Sequence, residues 1–302
     1  MRFLNMKTDY AFKKVFGSEN SKDILKSFLN STLELKYDIT DLTIEDPYNV
    51  PKLQGMKETS VDVKATLSDK TKVIIEMQIL NHDGFESRIL YNTAKNYANQ
   101  LDKGDKYNLL NPVIALTIVN FEMFEFDKFK SIFQLFEKEN FTKYKDDIEL
   151  VFIELPKFKK SFQECQNIED KWIYFIKNAR DLDVVPKLKD KNLKKAFEIA
   201  NTATLSKEEL EIQDKREEFI FMQKSSIEKA KREGREEGRE EGREEGREEG
   251  REEGIEIGEE RGEKRGEIKT AITMIKEFNL SIEEVSKKLN ISIYELKKYL
   301  EK

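Results

Sequence analysis

The chain is 302 residues long, 38% of them charged, with a formal net charge of −6 at pH 7 and a single cysteine. A lone Cys165 excludes an internal disulfide and a cysteine-built zinc site and reads as a small core residue. No stretch approaches the ~20 apolar residues of a membrane span, and the opening MRFLNMKTDYAFKKVFG has no signal-peptide run, which predicts a soluble, cytoplasmic protein.

Helical spacing runs over residues 9–33 (Phe12, Val15 and Phe16, then Ile24, Leu25, Phe28 and Leu29), interrupted near Gly17. A strand is predicted at 42–44, closed by Asp46-Pro47. VDVKA at 61–65 and VIIEMQI at 73–79 read as adjacent strands joined by a turn around Ser68, Asp69 and Lys70. Residues 85–101 turn helical again. PVIALTIVNF at 112–121 reads as a strand buried on both faces, and ELVFIEL at 149–155 as another, stopped by Pro156. IEDKWIYFIKNA at 168–179 predicts a helix with Trp172, Phe175, Ile176 and Ala179 on its core face. The order predicts an α/β (α+β) domain around a mixed sheet over residues 1–230.

Residues 231–267 are a repeat with 10 basic and 16 acidic side chains, the whole of the net charge. Nine glycines recur every fourth residue from Gly234 to Gly266, and five successive tetrads are REEG. The period is helical, although each glycine costs ~1 kcal/mol relative to alanine. A long helix that associates with another copy and a charged spacer are both compatible with it. Residues 268–302 predict a helical tail. Ile268, Ala271, Ile272, Ile275 and Phe278 form one stripe, and Ser281 with Glu284 and Ser292 with Glu295 are capping boxes. Two short helices around Asn290-Ile291-Ser292 suggest a helix-turn-helix, with Lys297, Lys298 and Lys302 available to phosphates. A small bundle for self-association is the other reading.

The chemistry concentrates in the two strands at 61–79. Strand alternation puts Asp62 and Lys64 on one side of the first, and Ile74, Glu76 and Gln78 on one side of the second. Val61, Val63, Ala65, Val73, Ile75, Met77 and Ile79 would form the opposite, apolar side. Asp62 opposite Glu76 implies a loop at 68–70, and Asp62 opposite Gln78 one at 69–71; both keep the acids on one face. Paired carboxylates repel unless a cation sits between them, and Mg²⁺ prefers oxygen ligands. A metal-dependent nuclease therefore leads. The plain alternative is a hairpin with a solvated polar face, Lys64 pairing Glu76. His82, the only histidine, lies in a loop-like NHDG stretch and reads as exposed.

MKTDYAFKKVFG at 6–17, VDVKATLSDKTKVIIEMQ at 61–78 and SRILYNTAKNYANQL at 87–101 resemble the Rpn family, recombination-promoting nucleases also labelled transposases, of the PD-(D/E)XK nuclease superfamily. The resemblance implies a restriction-endonuclease-like core that cuts DNA with Mg²⁺. It makes Asp62 the first metal-binding acid and Glu76 the second. Gln78 stands where the superfamily motif usually has lysine, so either Gln78 positions the attacking water or Lys64 supplies the charge. Asp9 is either a third acid from the first helix or that helix's N-cap. Arg88 and Tyr91 either face the site or form a surface pair. The family further implies a link to recombination or mobile elements, and a role in phage defence. The competing class is a catalytically weak or inactive DNA-binding or oligomerising protein.

Overall fold

Thr8 opens the first helix of the structure, a computed structural model that describes residues 2–49 and 59–300. Its Oγ1 accepts from the Ala11 N–H at 3.3 Å, and α1 runs Asp9–Phe16. The predicted interruption falls at Gly17, whose N–H donates to the Lys13 carbonyl at 2.8 Å. A Cβ there would lie 2.9 Å from the Lys13 oxygen and 3.3 Å from Val63 Cγ2, so glycine lets the end of α1 settle on the sheet. After a short 3₁₀ turn comes α2 (Lys22–Thr32).

Among the described residues six strands form one sheet: β1 (Leu42–Glu45), β4 (Val63–Leu67), β5 (Lys72–Gln78), β6 (Val113–Val119), β7 (Lys130–Phe136) and β8 (Lys143–Glu154). Their spatial order is β1-β4-β5-β6-β8-β7, and β2 (Tyr48–Asn49) and β3 (Thr59–Ser60) make a separate ribbon. β5, β6 and β8 run parallel, with antiparallel strands at both edges. The β5–β6 crossover carries α3 (Phe85–Ala98). β6 is buried at every position, as its unbroken apolar run predicts. β7 escaped the sequence reading: it is an edge strand whose Phe133, Leu135 and Phe136 are exposed, so it lacks an inside–outside alternation.

Two clusters pack the two faces. The larger gathers α1, α2, α4 (Ile168–Asn178) and α5 (Lys191–Ile199) against Val63, Ala65, Val73, Ile75 and Met77. Trp172 sits in it, fully buried, 5.8 Å from the Phe16 ring and 5.9 Å from Phe28. The smaller joins Val61 and Ile74 to Phe85 and Ile89 of α3. Val61 thus departs from its predicted side, because the chain leaves the regular ladder at Asp62 and the alternation shifts by one residue. The β5 face that bears Glu76 is covered by α3 rather than solvated. Cys165 is buried and free.

The β4–β5 hairpin takes the 68–70 loop: Val63 pairs with Ile75 and Thr66 with Lys72, the Leu67 N–H donates to the Thr71 carbonyl at 2.9 Å, and Lys70 adopts φ 73°. A left-handed conformation costs a side-chain-bearing residue roughly 1–2 kcal/mol. Lys70→Gly is therefore expected to raise stability by about 1 kcal/mol in urea unfolding. An unchanged midpoint would mean the lysine side chain offsets its backbone strain.

The structure divides into two units, Met1–Lys224 and Ser225–Lys302. α6 (Lys207–Lys276) is a continuous helix that includes the whole glycine repeat. Its first turns belong to the first unit, where Gln213 accepts from Thr8 Oγ1 at 3.1 Å and Glu209 takes the Tyr10 hydroxyl at 3.1 Å and the Lys14 ammonium. In the second unit, Ile268 and Ala271 bury against Val285 of α7 (Ile282–Leu289) and Leu296 of α8 (Ile293–Leu300). The Ser281–Glu284 capping box forms on both sides, and Asn290 ends α7 at φ 54°. Phe278, predicted in the apolar stripe, is exposed because α6 stops at Lys276. Lys302 lies outside the described residues.

Candidate active site

Asp62 stands just before β4, where the strand steps out of register. Its N–H donates to the Ile75 carbonyl at 3.0 Å, and its Oδ2 accepts the Met77 N–H at 2.8 Å. The carboxylate thereby takes over a sheet donor that the ended ladder no longer satisfies, which fixes the side chain at the strand's end. Its other oxygen pairs with Lys13 Nζ of α1 at 3.4 Å. Only 12% of the Asp62 side chain is exposed, and burial holds its carboxyl above the usual range, against the Met77 hydrogen bond and the Lys13 charge.

Glu76 projects from central strand β5, opposite Thr117 of β6. Its Oε1 accepts from Arg88 Nη2 of α3 at 2.8 Å. The same Nη2 donates to Gln78 Oε1 at 2.9 Å, and Gln78 Nε2 donates to the Leu80 carbonyl at 2.8 Å. Those partners settle the Gln78 amide, since a guanidinium only donates and a carbonyl only accepts. The Glu76 side chain is 18% exposed, and its pKa is pushed up to about 7, first by burial and then by the negative charge of Asp62. Arg88 and Lys13 oppose that rise without cancelling it.

The structure thus gathers Asp62, Glu76 and Gln78 at one end of the hairpin, with Arg88 bonding Glu76 and Gln78, while Tyr91 is exposed. Lys64 pairs with Glu45 of β1 at 3.3 Å, and Glu45 also accepts from Lys72 at 2.9 Å. Asp9 is not the N-cap, which is Thr8. It pairs with Arg216 of α6 at 3.4 Å, and its charge still reaches Asp62 and raises that carboxyl. Lys13 escaped the sequence reading because the packing of α1 on the hairpin is a tertiary fact. Asn92 escaped too. Its Oδ1 is buried without a partner among the described residues, and the side chain walls a cavity of about 10 Å³ with Glu76, Arg88, Ile89, Ala115 and Thr117.

The donor set suits a hard divalent cation. Both carboxylates hold their protons more tightly than in water: burial raises each, the charge of Asp62 adds to the rise at Glu76, and that of Asp9 adds to the rise at Asp62. Among the described residues no group of three or more His, Cys, Asp or Glu side chains converges. A cation here would have two carboxylates and otherwise water, the usual ligation of Mg²⁺.

The architecture is a mixed sheet with helices on both faces, carrying two acids at the end of the β4–β5 hairpin. A family model, PD-(D/E)XK nuclease family transposase, matches residues 6–230, and the chain belongs to that family. No curated protein and no solved structure matches it. No helix among the described residues is long and apolar enough to cross a membrane.

Proposed function

We propose that the protein is a Mg²⁺-dependent DNA endonuclease whose metal is held by Asp62 and Glu76. The observation that carries this reading is the pair itself: two mostly buried carboxylates share one end of a hairpin, and the charge of one raises the pKa of the other. Hydrolysis of a phosphodiester adds water across a P–O bond: the water oxygen joins phosphorus, and the leaving oxygen takes up a proton. When bound, the divalent cation supplies Lewis-acid stabilisation of charge on the phosphate and activation of water. The Met77 N–H fixes Asp62 for its task, Lys13 shields that carboxylate, and Gln78 orients the guanidinium shared with Glu76. Lys64, paired with Glu45 of β1 at 3.3 Å, is the other candidate for that assistance.

The family description supports a mobile-element setting, and we place the cutting of recombining or invading DNA, phage defence included, in that context. We assign the nuclease to residues 1–230, the repeat to 231–267 and the helical tail to 268–302, with self-association through the repeat or the tail and a cytoplasmic location. The second reading, a DNA-binding protein with weak or lost catalysis, is favoured by one observation: neutral Gln78 occupies the position usually held by lysine.

Nicking of supercoiled plasmid separates them. Wild type is expected to nick with Mg²⁺ and not with EDTA, and Asp62→Ala to lose about 10²–10³-fold, the several kcal/mol that a Lewis acid contributes. Because Asp62 also satisfies the Met77 N–H, unfolding of the variant is followed alongside. Well-folded wild type that never nicks would remove the nuclease reading and shift the weight to the binding one.

A further inference from the structure

Gln78 leaves this site without the charge its motif position usually brings, yet a cation stands there. Arg88 Nη2 lies 2.9 Å from Gln78 Oε1 and 2.8 Å from Glu76 Oε1. Its guanidinium carbon sits 5.2 Å from the centre of the buried Phe85 ring, one turn earlier on α3. Phe85 is held in turn by Phe121, ring centres 5.7 Å apart. Despite these braces, 44% of the Arg88 side chain is exposed. A salt bridge built only to neutralise Glu76 has no need of a second acceptor or of that exposure. A group meant to meet an incoming phosphate needs both a fixed direction and open N–H donors, and guanidinium matches phosphate oxygens with parallel hydrogen bonds.

We propose that Arg88 is the phosphate-facing cation of this site, carried on α3 and aimed by Gln78, in place of a lysine on β5. Gln78 is then a positioning residue whose amide oxygen steers the guanidinium. A guanidinium offers N–H donors and no acceptor, so the role of Arg88 is to stabilise charge. Asn92, one turn further along α3, offers a buried, unpartnered Oδ1 on the wall that Arg88 also lines. The proposal rests on the nuclease reading for its catalytic part, but its phosphate contact is measurable without catalysis.

The test pairs DNA binding in EDTA across a salt series with plasmid nicking in Mg²⁺, on the full chain, for wild type, Arg88→Gln, Arg88→Lys, Gln78→Leu and Lys13→Gln. Arg88→Gln is expected to lower the slope of log affinity against log salt by about 0.9, the loss of one phosphate contact. Its nicking rate is expected to fall about 10²–10³-fold, as when one preorganised donor is removed. Arg88→Lys should restore the salt slope and only part of the rate. Gln78→Leu should keep the slope and slow nicking, since charge survives and aim does not. An unchanged salt slope in Arg88→Gln with intact nicking overturns the proposal while the nuclease reading stands. So does transfer of the slope loss to Lys13→Gln. Wild type that binds without nicking, with the slope loss still at Arg88, retains the phosphate contact and removes the nuclease reading.

Discussion

Glu76→Gln is expected to make the metal-free protein more stable at pH 8 while abolishing Mg²⁺-dependent nicking. The folded pKa of Glu76 is about 7, above the ordinary 4.5, because burial and Asp62 disfavour its charge. Between those values the folded chain binds more protons than the unfolded one. Stability from this group is therefore full below pH 4.5 and declines as pH rises through 7, by roughly 3 kcal/mol at about 1.36 kcal/mol per unit. Glutamine removes the slope and the cost together. Asp62, also raised, adds a slope of the same sign beginning at lower pH. Carboxylates held down, such as Glu209 at about 2 beside Lys14, act in the opposite sense, losing their contribution in more acidic solution. Trp172 is the only tryptophan and is buried in the first unit, so its fluorescence follows unfolding of the unit that holds the site. Mg²⁺ at a hundred times its dissociation constant should add about 2.7 kcal/mol to wild type at pH 8 and almost nothing to Glu76→Gln. A wild type with flat stability from pH 5 to 8 and no response to Mg²⁺ would remove the paired-carboxylate argument.

The second large effect lies in the repeat. Alanine at Gly238, Gly242, Gly246, Gly250 and Gly254 together is expected to stabilise that part of α6 by about 4–5 kcal/mol of helix propensity. A Cβ at any of these positions meets nothing within 4 Å. The tetrad period also aligns like with like at i,i+4, Arg235 with Arg239 and Glu236 with Glu240, which is unfavourable. The compensating pairs are Glu-to-Arg at i,i+3, such as Glu236 with Arg239, at ~0.2–0.5 kcal/mol each. Local stability is thus low, and methyl groups raise it. The helical signal at 222 nm should melt later and with larger amplitude, while Trp172 fluorescence, which reports the first unit, should not move. A lower melt would show that another chain needs those bare glycine surfaces, the self-association reading.

Local patterning made most of the elements legible. Ser281 caps a helix by its own side chain and β6 announces itself by an apolar run, whereas the cap of α1, which the sequence allows at Asp9, lies at Thr8. The acids were legible as well, because a glutamate between Ile75 and Met77 in a central strand is conspicuous in any context. The hairpin register was left between two loops by the sequence, since both obey the alternation; turn geometry at Lys70 selected one. What required the tertiary structure was everything that depends on which surfaces meet. Asp62 leaves the ladder and accepts from Met77, Val61 changes face, and α3 covers the β5 surface that alternation alone would have left to water. Lys13 and Arg88 reach the acids only because α1 and α3 pack where they do, and Asp9 goes to Arg216 on a helix two hundred residues away. Sequence spacing fixes which side chains share an element's face. The partner across the gap, and so the charge state of Glu76, is set by packing between elements distant in the chain.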